Sequence, residues 1–300
     1  MHSLPGPSPQ ARRAGASSLF FIAKRVGRTL LLMLCAAAGT ILLVRCAPGF
    51  FSDDREMDAK YAMAAQAEIS AQSESQGSIV RIAMREVESW AKGDFGESRQ
   101  YGVPVAGLVG ARMSTSATLL MRGILCGWLF AIVAALPISC LRKGGSLLGL
   151  PFTILLSVPT AAMATACILA DAGGPVLVLS LLIAAREFKF LRSLLEGAWR
   201  SSHLLQGRAQ GLTAWALVRL HILPNAAPQL RTLATLSIVT ALGALVPIEV
   251  IFNVPGVGQL AWSAVMNRDL PVLVAVSLLM ASVVGLAGML SSSEFTLEAA

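Results

Sequence analysis

Charged residues are scarce in this chain of 300 residues. They make up 14% of it, whereas hydrophobic residues make up 55%, and the mean hydropathy is +0.68. A soluble globular domain carries about 25% charged residues, so the shortage excludes an ordinary soluble protein. It predicts an all-α integral membrane protein, because a helix satisfies its own backbone hydrogen bonds in lipid.

Motifs that carry catalysis are also missing from the sequence. It has no G-x-x-x-x-G-K-[ST] phosphate loop, no H-E-x-x-H pattern and no G-x-S-x-G pattern. Its three histidines lie outside the apolar runs, so an intramembrane hydrolase would lack a base. Its five cysteines show no C-x-x-C spacing. We therefore predict that the chain is not an enzyme and that it holds no metal and no cofactor.

Apolar runs separated by charged residues predict six transmembrane spans, since a helix needs about 20 mainly apolar residues to cross a bilayer. A basic, disordered leader is predicted at 1–18, and the first span at 19–47. The first span is predicted to stay uncleaved, because residues 44–47 form a poor signal-peptidase site. Five spans lie in a core at 114–293: Gly123–Leu141, Gly144–Ala170, Ala172–Ala185 with a continuation through Phe190, Thr232–Val250 and Leu270–Ser293.

The placement of charge predicts the topology. The net charge is +7, and basic residues cluster at Arg142, Lys143 and between 186 and 231, at the ends of apolar runs. This pattern is typical of cytoplasmic loops rather than of nucleic-acid binding. It places both termini in the cytoplasm, including a tail at 294–300. Acids outnumber bases in 48–113, which is predicted to be an external amphipathic segment.

A polar stretch at 195–228 lies between predicted spans 4 and 5. Apolar residues recur in it at roughly helical spacing, which predicts an amphipathic helical element outside the bilayer. Gly211 can adopt a positive φ, and Pro224 is suited to the first turn of a helix. The predicted order is helix, glycine turn, helix, and a restart at the proline.

This arrangement resembles the loop with which permease subunits of bacterial ABC importers bind their ATPases. Ala209 and Gly211 match the alanine and glycine of the family motif, and Leu223-Pro224 follows at the expected distance. Leu205 replaces the acidic residue that often opens the motif, and an alanine is usual at 207. The resemblance implies a cytoplasmic coupling loop whose ATPase-docking residues are Gly207, Ala209, Gly211, Leu212, Trp215, Leu220, Leu223 and Pro224.

A second signature lies between predicted spans 5 and 6. It consists of residues 246–252, the turn Pro255-Gly256-Val257-Gly258, and residues 267–272, and it resembles oligopeptide, dipeptide and nickel permeases in type, spacing and order. The segment at 93–98 is similar to the one that precedes the second span in that family. On physical grounds the Pro-Gly-x-Gly turn ends a helix at the membrane edge, and 260–266 forms a short helix that returns into the protein.

Two charged residues at the ends of predicted spans, Glu249 and Arg122, each have two possible roles. Glu249 either pairs with Arg268 or a turn amide at the interface, or lies near an outer gate, because acids inside membranes are costly. Arg122 either lies near the outer boundary, facing other helices, or lines the path. The candidate path or gate residues are Glu249, Pro255, Gly256, Gly258 and Arg122.

The resemblance implies a permease subunit of an ATP-driven importer in the bacterial cytoplasmic membrane, working by alternating access. Its cargo would be a peptide or a similar small solute, with a nickel chelate as one option. Its partners would be two cytoplasmic ATPases that bind the ATP, a second homologous permease, an external substrate-binding protein and lipid. The alternative is a self-contained secondary transporter or channel with intramembrane charges at Arg122, Asp171 and Glu249.

Overall fold

The structure is a computed structural model that describes residues 9–46, 88–90, 92–140, 149–199 and 211–291. The described residues are helical and contain no β-strand beyond a single bridge between Glu97 and Pro104. In chain order the elements are α1 (Pro9–Cys46), α2 (Val105–Cys140), α3 (Leu150–Ser157), α4 (Thr160–Leu169), α5 (Pro175–Trp199), α6 (Ala214–Leu217), a π-helix (Val218–Ile222), α7 (Leu223–Ile251), α8 (Val257–Met266) and α9 (Leu270–Ser291).

Four helical stretches in the described part of the chain are long and apolar enough to cross a membrane, and α3 with α4 forms a fifth candidate as a bent pair. The four are Ala23–Leu42, Val105–Pro137, Leu223–Ile251 and Leu270–Met289. Helix α5 carries four charged residues between 186 and 192, so composition alone does not qualify it. The all-helical membrane fold is confirmed, and a total of six spans stays a prediction.

The third predicted span is not one continuous helix. The run Gly144–Ala170 was expected to cross the membrane unbroken, but α3 and α4 meet at an angle of 104°. The bend lies at Val158, which is extended, and at Pro159, which has no backbone N–H to continue the helical ladder. Residues 141–148, which include the start of this predicted span, lie outside the described part.

Helices α2 and α7 both begin before the predicted spans. Helix α2 starts at Val105 rather than at Gly123, so the expected boundary at 114 lies inside it. The predicted span began after Arg122, a charged residue that the helix nevertheless contains. The helix also accommodates serine and threonine by bonding their hydroxyls to earlier carbonyls, as Thr118 does to Ser114 at 2.7 Å. Helix α7 starts at Leu223 and thus includes the end of the predicted coupling loop.

The ends of the remaining long helices differ less from the predicted span boundaries. Helix α1 extends back to Pro9, into the predicted leader, where Gln, Ala and Arg are favourable helix formers. Helix α5 continues beyond the predicted end of span 4 to Trp199, and an ion pair of 2.6 Å between Arg192 and Glu196 stabilises its last turns. Helix α9 matches the prediction closely.

A stripe of small residues brings α2 and α5 together. Gly123, Gly127, Ala131 and Ala135 are spaced four apart on α2, and all four are buried. Residues four apart lie on one face of a helix, and small residues on that face allow two backbones to approach closely. A Cβ placed at Gly127 would lie 2.7 Å from Cβ of Ile183 and 2.9 Å from a backbone oxygen of α5.

Helices α1 and α9 form a second contact. The hydroxyl of Thr40 donates a hydrogen bond of 2.9 Å to Ser277, and Ala37 is buried against Val274 and Leu278. Nearby, Gly285 leaves no room for a Cβ beside Thr29. Close approach through a small residue therefore recurs at this contact.

The stripe predicts that Gly127→Ala destabilises the protein by about 1–3 kcal/mol, because a methyl group would clash with the backbone of α5, which cannot move aside as a side chain can. The matched control is Gly110→Ala on the same helix, where a Cβ meets nothing within 4 Å. That variant should be neutral or stabilising by about 0.5–1 kcal/mol. Thermal unfolding midpoints in detergent measure both, and equal midpoints for the two variants would contradict the packing described.

Candidate functional site

The carboxylate of Glu249 joins three helices at the end of α7. Its side chain is fully buried. Its Oε2 accepts hydrogen bonds from the backbone N–H groups of Gly258 at 2.7 Å and Gln259 at 3.1 Å, while the hydroxyl of Ser116 donates to Oε1 at 2.6 Å. Helix α8 begins at Val257, so these amides belong to its first turn and have no acceptor within the helix. The carboxylate supplies that acceptor and opposes the positive end of the helix dipole.

The glycines of the Pro-Gly-x-Gly turn make room for this carboxylate. A Cβ at Gly256 would overlap the carboxyl group of Glu249, and a Cβ at Gly258 would lie 2.9 Å from Cα of Val246. Gly256 has an extended backbone, with φ −108° and ψ −173°, so it is needed for space and not for a left-handed conformation. Pro255 lies exposed on the turn.

The structure therefore brings Glu249, Gly256 and Gly258 together and adds Ser116, which sequence reasoning did not identify. Of the partners expected for Glu249, the turn amides are confirmed. Arg122 lies exposed on α2, and among the described residues no hydrogen bond or ion pair joins it to this group. A role for any of these residues in lining a path stays a prediction.

A second buried carboxylate, that of Asp269, was also missed. It precedes α9, and its Oδ2 accepts hydrogen bonds from the hydroxyl of Ser98 at 2.5 Å and from the N–H of Gln100 at 3.2 Å. The Ser98 oxygen accepts a further bond of 3.1 Å from the N–H of Tyr101. These contacts fix the loop before α2 onto the junction of α8 and α9. The segments at 93–98 and 267–272, which both resemble the oligopeptide, dipeptide and nickel permeases, are thus in contact. No local sequence pattern indicates this contact.

The polar element between predicted spans 4 and 5 is continuous with α7. Gly211 has φ +77°, as predicted. From Ala214 to Ile251 the chain is helical without a break, passing from α6 through the π-helix into α7. Pro224 lies in the first turn of α7, as predicted, but it marks a change from π to α geometry rather than a gap between helices. Gly207, Ala209 and the helix expected before Gly211 lie outside the described residues.

The two faces of this element differ. Leu217 and Ile222 are buried in a cluster with α2 and α5, and Leu212 packs against the same cluster. On the other face, Leu220 is 60% exposed and Leu223 is 51% exposed. Pro224 is exposed beside them, and the side chain of Trp215 lies outside the described part of the structure. The outer face of the element therefore presents leucine and proline beside the exposed Arg219 and Asn225, while its inner face is fixed to the bundle.

The geometry at Glu249 predicts that Glu249→Ala destabilises the protein by about 3 kcal/mol or more, because it leaves a hydroxyl and two amides of the first turn of α8 without an acceptor. Glu196→Ala on α5 is the control, since it breaks one partly exposed ion pair and should cost about 1 kcal/mol or less. Unfolding in detergent and protease cleavage at 252–258 measure the difference. If the two variants matched, the capping role of Glu249 would be wrong.

Comparison with known proteins identifies the family of this chain. Residues 123–293, more than half of the chain, match the family described as binding-protein-dependent transport system inner membrane component. A Brucella suis protein named as a peptide permease is 28% identical over an alignment of 225 positions that covers 64% of this chain and 70% of that protein.

Two further relatives match shorter stretches. The metal-staphylopine import system permease protein CntB of Staphylococcus aureus is 35% identical over 36% of this chain and 34% of its own length. The di/tripeptide transport system permease protein DppB of Pseudomonas aeruginosa is 33% identical over 37% of this chain and 33% of its own length. The chain therefore belongs to the family of binding-protein-dependent transport system inner membrane components, and it is a transmembrane permease subunit of an ABC importer.

Proposed function

We propose that this permease moves peptides, or metal chelates of similar size such as a nickel chelate, across the bacterial cytoplasmic membrane by alternating access. Relatives named for peptide and di/tripeptide transport and for metal-staphylopine import support this range of cargo. Both cargo classes are small, polar solutes. Family membership disfavours the alternative of a self-contained transporter or channel. A protein of that kind would also have no use for an ATPase-docking element.

The observation that carries the mechanism is the unbroken helical run from Ala214 to Ile251. At about 1.5 Å per residue it is roughly 55 Å long, which exceeds the hydrocarbon core of a bilayer. The exposed face of Leu220, Leu223 and Pro224 lies near one end, and Glu249 lies near the other. A force applied to the exposed face therefore acts directly on a membrane-spanning helix, because both belong to one continuous helical run.

Two cytoplasmic ATPases are the proposed source of that force, one for this subunit and one for a second homologous permease. An apolar helix face laid in a groove is a recurrent docking mode, and the exposed leucines supply such a face. The ATPases bind the ATP, and an external binding protein delivers the solute. Both termini of the permease lie in the cytoplasm in this arrangement.

Movement of α7 reaches the outer side through Glu249. Because this carboxylate is hydrogen bonded to the first turn of α8 and to α2, a tilt of α7 displaces the turn at 255–258 and the start of α8. We assign the outer gate to Pro255, Gly256 and Gly258 on this ground. Arg122, exposed on α2, is the candidate for a charge that lines the path.

The docking proposal predicts that Leu220→Asp abolishes co-purification of the ATPases and substrate uptake, because it places a charge in an apolar interface. Leu220→Met is the matched control, since it keeps the apolar surface and should retain both. Gly211→Pro should also uncouple the complex, because proline cannot adopt φ +77°. Normal amounts of each variant in the membrane fraction exclude a failure of insertion, and unchanged uptake in Leu220→Asp would contradict the proposal.

The same proposal predicts the side of the membrane on which this face lies. In a Leu220→Cys variant, a membrane-impermeant maleimide should label position 220 in inverted vesicles and not in intact cells. The native cysteines are controlled by labelling the parent chain in parallel. Labelling of position 220 in intact cells would place the element outside, where no ATPase could reach it.

A further inference from the structure

A buried polar network connects α2, α5 and α7 in the middle of the bundle. Glu187 on α5 is fully buried, and the hydroxyl of Ser237 on α7 lies 2.8 Å from its Oε1. The indole N–H of Trp128 on α2 donates to the same hydroxyl at 3.0 Å. The hydroxyl is also 2.9 Å from the carbonyl oxygen of Leu233, one turn earlier on α7.

The number of hydrogen-bonding protons in this network decides whether Glu187 is ionised or protonated. Ser237 has one hydroxyl proton but two acceptors within hydrogen-bonding distance, the carboxyl oxygen and the carbonyl of Leu233. If Glu187 is ionised, the serine must give up the carbonyl to reach it. The second oxygen of Glu187, Oε2, is buried and has no hydrogen-bond partner in the described part of the chain, so it would carry charge without a hydrogen bond.

A protonated Glu187 removes both conflicts. Its acidic O–H donates to Ser237, which accepts this bond and that of Trp128 and donates its own proton to Leu233. Every donor then has one acceptor, and Oε2 is an uncharged carbonyl oxygen, whose burial costs far less than that of a charged one.

Among the described residues, no charged group forms an ion pair or a hydrogen bond with Glu187. The neighbouring Arg186 directs its guanidinium to the hydroxyl of Thr240 on α7. Of the other helices packed against α5, α3 and α4 contain no acidic or basic residue. The described charges of α2 and α7 are Arg112, Arg122, Arg231 and Glu249, and none of them is bonded to Glu187.

We propose that Glu187 is a proton-binding site that links the packing of α2, α5 and α7 to pH. The proton comes from solvent and converts the carboxylate to the neutral acid that the network accommodates. Because the packed arrangement binds this proton and a separated, hydrated arrangement releases it, the packed arrangement is stabilised at low pH and weakened as pH rises. Since α7 carries the docking element, the site gives the position of that helix a dependence on pH that the transport proposal does not require.

Infrared difference spectroscopy of the full chain in lipid nanodiscs tests the proposal, because a protonated carboxylic acid has a carbonyl stretch distinct from that of a carboxylate. The wild-type spectrum minus that of Glu187→Gln should contain an acid band at neutral pH, and glutamine can make the same bonds to Ser237. The matched control is Glu196→Gln on the same helix, which should remove carboxylate bands only. Neither measurement needs an ATPase, so the result is independent of the proposed function.

Two further readouts complete the test. Ser237→Ala keeps Glu187 but removes its partner, so the acid band should remain and shift in frequency. From about pH 6 to about pH 9 the wild-type unfolding midpoint should fall as the acid band is lost, and that of Glu187→Gln should stay level. Carboxylate bands alone in the Glu187 difference spectrum at neutral pH would overturn the proposal. If Glu187→Gln does not fold, the Ser237→Ala spectrum decides, and a shift confined to carboxylate bands would also overturn it.

Discussion

The start of a helix inside a membrane protein exposes amide groups that have no water to bond, and in this chain one carboxylate satisfies them. Glu249 accepts two amides of α8 and the hydroxyl of Ser116, so α2, α7 and α8 all depend on it. The two glycines of the turn are required because a side chain at either would occupy the space of the carboxylate or of the α7 backbone. A short helix can return into the protein here only because its polar end is bonded.

The contacts between helices differ in kind from one part of the bundle to another. Between α2 and α5 the contact is made by glycine and alanine, which let the backbones approach and leave little room for one helix to slide on the other. Between α7 and its neighbours the contact includes hydroxyls, an indole and a carboxyl group. Bonds of this kind can exchange partners when a helix moves. The helix that carries the proposed docking face is thus held in part by contacts of this adaptable kind.

The local sequence pattern was sufficient to predict the structure wherever a single residue decides the backbone geometry. The positive φ of Gly211, the place of Pro224 in a first turn and the start of α9 at Leu270 were all predictable. Hydropathy failed where a helix contains charged and hydroxyl residues, as α2 does up to Arg122, and where an apolar run contains a proline, as at Pro159. The contact of Ser98 with Asp269 joins residues 171 positions apart, so only the fold reveals it.

The π-helix between α6 and α7 sets the direction in which the proposed docking face points. A π turn holds more residues than an α turn, and each residue of an α-helix turns the chain by about 100°. Loss of a single residue between 218 and 222 would return this stretch to α geometry and rotate Leu220 about the axis relative to the rest of α7. The orientation of the subunit toward the proposed ATPase therefore depends on the number of residues in this one helical turn as well as on side-chain chemistry. Relatives that differ there by one residue would present a different side of the helix.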